Sequence, residues 1–422
     1  MMKETIKLFY KKAFDNKTIL VLVPHPDDEI NLFGNLLDTL SQCADCRVTV
    51  AYLTNGDYYG MPVRRLVEAQ NALKILSHGK KVDVVYLGYP ESDFSQILNA
   101  ETDKLTSFNG LVHTYGTNIQ PEYHYLMYGK HAEISYENIR KDISSLIGNI
   151  HPDYLFANLE DKHPAHILLS RIVDEIVRAN ECDCAVLRGY CYETAWTAPR
   201  DFYSINPLSC KRSKHSSITE DDWAKRIRMP VLSGCRMQFF SGNNTVRALK
   251  AHKSQEALGA AKSVINGDCV YWLHGLSSKR MDYMKILVED DFAYRYRVTN
   301  KKCTVRLGIY ECVDGISQTL REMQNISIRT DGDLSVQGNI LTLPKGRRSV
   351  TVYAEDKRRG LTDKIALIRV PTVEFKLYKL MALVEQVLVR GYSVINKYAT
   401  QKGYEAHYSG ASIWKQKTNY DA

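Results

Sequence analysis

Between Ile19 and Gly34 the chain reads ILVLVPHPDDEINLFG, and its centre sets one imidazole, His25, among three carboxylates, Asp27, Asp28 and Glu29. Histidine and acids at this density are the donors that bind a divalent ion or move protons. A lone Asp ahead of a helix would simply cap it, and Asp28 or Glu29 alone would need no further account. Four such groups in one turn do. A second cluster lies far downstream in PDYLFANLEDKHPAHILL, where His163 and His166 are three apart at the start of a helical pattern. That spacing projects both rings from nearly one helix face, and Pro164 suits the first helical turn. An HxxH pair by itself reads as surface or cap histidines. Two neutral imidazoles with a carboxylate suit zinc, leaving one coordination position for water.

Two strands must deliver these clusters to one place. Ile19 to Val23 has the length and β-branching of a strand buried on both faces, Pro24 and Pro26 stiffen the turn and remove two backbone donors, and Asn31 to Leu40 resumes in helical spacing. Pro152 to Asn158 reads as the second strand. Both clusters then fall at carboxyl ends of strands, where open α/β sheets place their chemistry. Around them the first half alternates: a strand at Arg47 to Leu53, a helix from Pro62 to Ser77, a strand at Val82 to Leu87, a helix from Tyr136 to Ile147 and a strand near Val186 to Glu193. This predicts an α/β fold with a Rossmann-like parallel sheet flanked by helices. Glu91 to Glu133, rich in Gly, Asn and Tyr, reads as a lid or binding loop. Irregular Thr194 to Thr219 reads as a cleft wall, followed by helices from Glu220 and over Asn244 to Leu258.

From about Phe292 the pattern changes to short alternating runs: FAYRYRV, TVRLGIYECV, ISIRT, LSVQG, ILTLP, SVTVYAED and KIALIRV. These predict a small antiparallel β-sandwich of immunoglobulin-like architecture, serving as a spacer, a glycan binder or an association module. Thr372 to Tyr398 reads as a C-terminal helix with a broad apolar face that docks on the protein itself, on a second subunit or on a membrane surface. The expected division is residues 1–275, 290–371 and 372–422.

Composition narrows the class. With 44% hydrophobic and 25% charged residues and 12 prolines in 422, the chain is globular rather than disordered. A net charge of +8 favours an acidic partner without choosing one, and no nucleic-acid motif appears. The N-terminus reads as a short amphipathic helix, not a secretory signal, and no span is apolar enough to cross a bilayer, so a cytoplasmic location is expected, with peripheral membrane contact left open. Ten cysteines in this length fit reduced thiols. Cys43 and Cys46, and Cys182 and Cys184, invite a structural zinc reading, but both pairs precede strands and belong at the opposite edge of the sheet.

PHPDDE after a buried strand, with a later HPxH opening a helix, resembles the PIG-L/LmbE family of zinc-dependent N-acetylglucosaminyl deacetylases. Smaller likenesses are Thr54 to Gly56 (TNG), Arg65 to Ala69 (RLVEA), Leu87 to Asp93 (LGYPESD) and Ala251 to Gln255 (AHKSQ), so the similarity spans roughly residues 17 to 265. The resemblance implies one Zn2+ per chain held by His25, Asp28 and His166, with Asp27 as general base. His163, one turn before the third ligand, becomes the candidate for stabilising the oxyanion or protonating the leaving amine. Arg65 and Asp93 are expected to contact sugar hydroxyls or phosphate, the alternative for Arg65 being a pair with Glu68 at helical spacing. Tyr115, His124 and Tyr128 read as a platform for stacking on a sugar ring or, equally, as ordinary loop packing, while His252 reads as a helix-packing histidine. The substrate implied is an N-acetylated sugar, lipid- or nucleotide-linked. The alternatives are a zinc amidase acting on another N-acyl molecule and a catalytically weak glycan-binding or assembly module. One departure bears on these: the family carries an acid between its two histidines, where this chain has Ala165, and Glu160 or Asp161 just upstream are the candidates to replace it.

Overall fold

Strand β1 (Thr18–Val23) is buried along its whole length and lies between β2 (Arg47–Thr54) and β4 (Tyr154–Asn158), parallel to both. Its alternate side chains enter different cores: Ile19, Val21 and Val23 pack on one face of the sheet, Leu20 and Leu22 on the other. Burying each such side chain contributes about 1.5–3 kcal/mol, which fixes the register and hence where His25 emerges. The computed structural model describes residues 10–191 continuously and, beyond them, 218–219, 222, 226–231, 244–255, 268–274, 283–288, 297–301, 303–313, 316–319, 326–332, 334–343, 346, 348–377, 380 and 384. The expected cleft wall from Thr194 to Thr219 and the helix from Glu220 lie almost wholly outside these residues.

The sheet has the order β3-β2-β1-β4-β5-β7-β6, with β3 at Asp83–Tyr89, β5 at Ala185–Gly189, β6 at Ile227–Pro230 and β7 at Asp268–His274. Strands β1 to β5 are parallel, while β7 pairs antiparallel with β5 and β6. The helices are α1 (Asn35–Cys43), α2 (Pro62–Leu76), α3 (Ser95–Leu98), α4 (Tyr123–Tyr128), α5 (Tyr136–Ile150), α6 (Pro164–Arg178) and α7 (Asn244–Ala251). Chain order reverses between β1 and β4. That switch point is where a doubly wound sheet opens a crevice at its carboxyl edge, and His25 and His166 follow these two strands.

Two local features differ from the sequence expectation. The helix after β1 is entered through a π turn, Ile30–Gly34, with no side-chain cap on Glu29. The extra residue leaves the acids unused as caps, as π turns at functional sites often do. Residues 91–133, expected as a lid or binding loop, form a wall packed on the sheet. Leu105, Tyr123, Ala132 and Ile134 belong to the core on that side, and Lys104 and His113 bridge to Ser135 and Glu133. The segment presses against Gly88 so closely that a Cβ there, at φ +82°, would stand 2.3 Å from Glu122 Cβ.

Strands β8 to β16 build two further sheets, one of five strands and one of four, which share a core including Ile286, Val305, Leu307, Val352, Ile365 and Leu367. Two strands escape the sequence reading: β8 (Tyr283–Val288) and β11 (Ile316–Thr319). The arrangement is not wholly antiparallel, because β9 (Arg297–Thr299) runs parallel to β16 (Leu361–Val370). Residues 372–377 are helical. Phe375 is buried, whereas Val373, Leu377, Leu380 and Val384 are exposed. The rest of the expected C-terminal helix lies outside the described residues. Among those described, no helix is long and apolar enough to cross a membrane.

Candidate metal centre

At the end of β1 the turn folds back on itself: Asp28 N–H donates to His25 O at 3.2 Å, and His25 N–H donates to Asp28 Oδ2 at 3.1 Å. Asp27 takes φ +137°, a conformation costing a residue with a side chain on the order of 1–3 kcal/mol. At the end of β4, His163 occupies the N-cap position with Pro164 in the first turn, and His166 is buried one turn on. The two turns meet. Asp28 Oδ2 lies 3.0 Å from His25 Nδ1 and 3.2 Å from His166 Nε2, and the two nitrogens are 3.2 Å apart.

Three donor atoms in a near-equilateral triangle match the spacing that one ion imposes. Ligands of a tetrahedral zinc at 2.0–2.1 Å stand about 3.3–3.4 Å from each other. The second oxygen of the same carboxylate, Asp28 Oδ1, is buried with no hydrogen-bond partner, an expense that a cation beside it would relieve. His163 is close enough to join, its ligand atom lying within 4.8 Å of those of His25 and His166. Its ring stands edge-on to His25 at 4.6 Å between centroids.

His25 and His166 are each backed by an acid on the far nitrogen, the arrangement that fixes the tautomer of a metal-binding histidine. His166 Nδ1 meets Asp161 Oδ2 at 2.7 Å, and the other oxygen of Asp161 accepts the His163 N–H at 2.8 Å. His25 Nε2 lies 3.5 Å from Glu91 Oε1, which Thr54 Oγ1 steadies from behind at 2.7 Å. Asp161 thus stands in for the acid missing at Ala165, though it serves His166 rather than His163. Glu160 turns outward to Arg171 at 3.3 Å.

Electrostatics follow from this crowding. Burial alone would lower the His25 pKa, but Glu91 and Asp28 outweigh it and lift it to about 10. Burial likewise opposes the charge of His166, and Asp28 with Asp161 raises it to about 9. Burial resists ionisation of Asp28, yet His166 and His25 hold its carboxyl well below the usual range. Glu91 is drawn down against burial to about 2, chiefly by His25. Asp27 moves the other way: burial and then Asp28 push it up to about 6 against the pull of Arg65. His163, half-buried and beside His25 and His166, falls to about 4, chiefly through that burial.

The remaining expected residues divide. Arg65 is in the site: its guanidinium donates to Pro26 O at 3.1 Å and lies 3.7 Å from Asp27 Oδ1. It does not pair with Glu68, which Arg64 contacts instead. Tyr115 stands one layer back, its hydroxyl donating to Asp57 Oδ2 at 2.9 Å, while Asp57 Oδ1 accepts the Glu91 N–H. Asp93 is not in the site. Its carboxylate is turned to Ser95 and Gln96 at the start of α3. His124 is also elsewhere, buried with Nδ1 2.7 Å from Asp142, whose other oxygen accepts the Tyr89 hydroxyl. Tyr128 packs on His124. His252 does more than pack, since its Nε2 meets Glu29 Oε1 at 2.9 Å. The Cys43/Cys46 and Cys182/Cys184 pairs sit at the amino edge, and burial pushes the Cys46 thiol up to about 11, away from the thiolate a metal needs. Sequence reasoning passed over Glu91 for Asp93, although Glu91 is nearer the strand end.

A doubly wound sheet with buried imidazoles and carboxylates converging at its switch point defines the class: an α/β protein with a candidate metal centre. Residues 20–177 match the family model described as PIG-L, GlcNAc-PI de-N-acetylase, and this segment is a PIG-L family domain. No curated protein sequence matches the chain. Among solved structures, the antimicrobial pseudoaglycone deacetylase Dbv21 is 16% identical, with 56% of this chain and 82% of that one aligned at a TM-score of 0.32. N,N'-diacetylchitobiose deacetylase from Pyrococcus horikoshii is 17% identical, covering 46% and 68% at 0.29. A deacetylase of teicoplanin biosynthesis is 12% identical, covering 62% and 100% at 0.36.

Proposed function

We propose that the chain is a zinc-dependent N-deacetylase, removing acetyl from an N-acetylglucosamine-type sugar of a glycoconjugate or glycolipid precursor. The observation that carries this reading is the triangle of His25 Nδ1, Asp28 Oδ2 and His166 Nε2, with edges of 3.0–3.2 Å and an unpartnered Asp28 Oδ1 beside it. When bound, zinc would supply a Lewis acid that makes water nucleophilic near neutral pH and polarises the acetamide carbonyl.

The chain's own groups do the rest. Asp27, raised above the usual carboxylate range by burial and by Asp28, stands beside the triangle as the group to accept the proton of the attacking water. The hydroxyl oxygen bonds to the acetyl carbon, the C–N bond breaks, and the proton passes from Asp27 to the departing amine. His163, whose charge burial disfavours, donates a hydrogen bond to the developing oxyanion rather than a proton to the amine. Arg65 orients Asp27 and is available to sugar oxygens. The net positive charge suits a phosphate-bearing carrier. On this reading residues 1–275 carry the reaction, residues 290–371 form a separate spacer domain, and 372–422 form a tail contacting a membrane surface or second copy.

The test is zinc content measured together with acetate release from N-acetylglucosamine conjugates. Asp27→Asn should keep zinc and lose kcat by about 10²–10⁴-fold, whereas His166→Ala should lose the metal. Equal zinc loss in both variants would mean that the roles are misassigned. Stoichiometric zinc with no acetate from any sugar conjugate, but release of another acyl group, would favour the wider amidase reading.

A further inference from the structure

Around Asp27 the hydrogen bonds close on themselves. The Asp27 N–H donates to Glu29 Oε2 at 2.7 Å. Glu29 Oε1 meets His252 Nε2 at 2.9 Å, His252 Nδ1 meets Gln255 Nε2 at 3.2 Å, and Gln255 Oε1 accepts from Arg65 Nη2 at 2.5 Å. The same Nη2 donates to Pro26 O at 3.1 Å and lies 3.7 Å from Asp27 Oδ1, completing the circuit. Its direction follows from Arg65, which only donates. The Gln255 oxygen must face it, so the Gln255 N–H faces His252 Nδ1, and the remaining ring proton, on Nε2, points at Glu29. Glu29 and His252 are both buried. The segment carrying His252 and Gln255 is stapled to α2 by Ser254, whose N–H and hydroxyl donate to Glu68 at 2.5–3.1 Å.

We propose that His252 and Gln255 are positioning residues: from a turn some 225 residues beyond Asp27, they complete a hydrogen-bonded ring, its two arms running from the Arg65 donors to the Glu29 acceptors, that holds the Asp27 peptide in its left-handed conformation and its carboxylate ready as the base. The consequence for turnover rests on the deacetylase reading. The holding of Asp27 does not. A residue at φ +137° keeps that conformation only where its surroundings impose it, and Glu29 is the partner of the Asp27 N–H. Glu29 is in turn aimed by the His252 N–H, and His252 by Gln255.

The test pairs two substitutions of one ring. In H252Q the terminal amide reaches where His Nε2–H stands and still donates to Glu29. In H252N it reaches only the place of Nδ1. With zinc-loaded protein and an N-acetylglucosamine conjugate, H252N and Q255A should lower kcat about 10–100-fold, with KM and zinc content unchanged, and H252Q should recover most of the loss. In metal-free protein, hydrogen–deuterium exchange at the Asp27 amide should speed up in H252N and Q255A and stay slow in H252Q. Amide protection in H252N equal to wild type, or H252Q as impaired as H252N, would overturn the proposal. If zinc-loaded wild type releases no acetate, the deacetylase reading fails by itself and amide exchange alone decides the ring. Should H252N not fold, Q255A, at a half-buried position, carries the same two measurements.

Discussion

Asp161 offers the sharpest test of the metal site, because one carboxylate serves two donors there. Its Oδ2 meets His166 Nδ1 at 2.7 Å and its Oδ1 accepts the His163 N–H at 2.8 Å, so it both turns His166 Nε2 toward Asp28 and seats the start of α6. Asp161→Asn keeps one acceptor oxygen, enough for one donor, and loses the charge. Asp161→Ala loses both acceptors. Partners behind metal-binding histidines are worth about 10–100-fold in affinity. We therefore expect the zinc Kd to rise about tenfold in Asp161→Asn and about a hundredfold in Asp161→Ala, or about 1.4 and 2.7 kcal/mol. The assay is competition against a zinc-binding chromophore near neutral pH, with melting of the zinc-free proteins to confirm folding. Glu160→Ala is the control, since Glu160 pairs with Arg171 at the half-exposed rim and should leave Kd unchanged. If Asp161→Ala binds zinc as tightly as wild type, the triangle of His25, Asp28 and His166 is not the site that holds it.

Three further outcomes follow from the same geometry. Zinc at a thousandfold its Kd should stabilise the protein by about 4 kcal/mol, visible as a chelator-reversible rise in Tm that His166→Ala abolishes; a rise that persists in that variant would put the metal elsewhere. Gly88→Ala should cost about 2–3 kcal/mol in urea unfolding, because the new Cβ meets Glu122 at 2.3 Å and sits at φ +82°, and unchanged stability would mean that the wall of residues 91–133 is not pinned there. His124→Ala should destabilise by about 1–3 kcal/mol through the Asp142 and Tyr89 hydroxyl network it leaves incomplete. Its kcat/KM should hold, whereas a selective rise in KM would return His124 to the sugar.

What the sequence disclosed tracks how local the determining physics is. The strand ending at Val23, the helix opening at Pro164 and the meeting of their two histidine turns depend on apolar periodicity, on a proline at a first helical turn and on a general rule about sheet edges. These are properties of short windows. The misplaced residues depend on packing that no window contains. Asp93 and Glu91 are two acids two positions apart after the same strand, and which of them faces His25 is decided by Asp57, from another strand end, accepting the Glu91 N–H. His124 lies in a tyrosine-rich run that reads as a sugar platform, yet Asp142, a buried acid on α5, draws its ring into the core. Gly88 permits the wall to press onto the sheet, a tertiary contact with no periodic signal.

The same distinction explains why Ala165 is a weaker departure than it looks in the motif. An acid between the histidines is one way to place a carboxylate behind an imidazole, but the requirement is spatial. Asp161, two residues ahead of the N-cap His163, meets it for His166 by bonding backbone and ring together. His163 is left to a different role: its partial burial, and then the neighbouring His25 and His166, disfavour its own charge. A divalent cation bound to neutral His25 and His166 would take the place of the charge on those rings and act in the same direction, so a neutral hydrogen-bond donor, rather than a proton donor, is the form of His163 that this site would maintain.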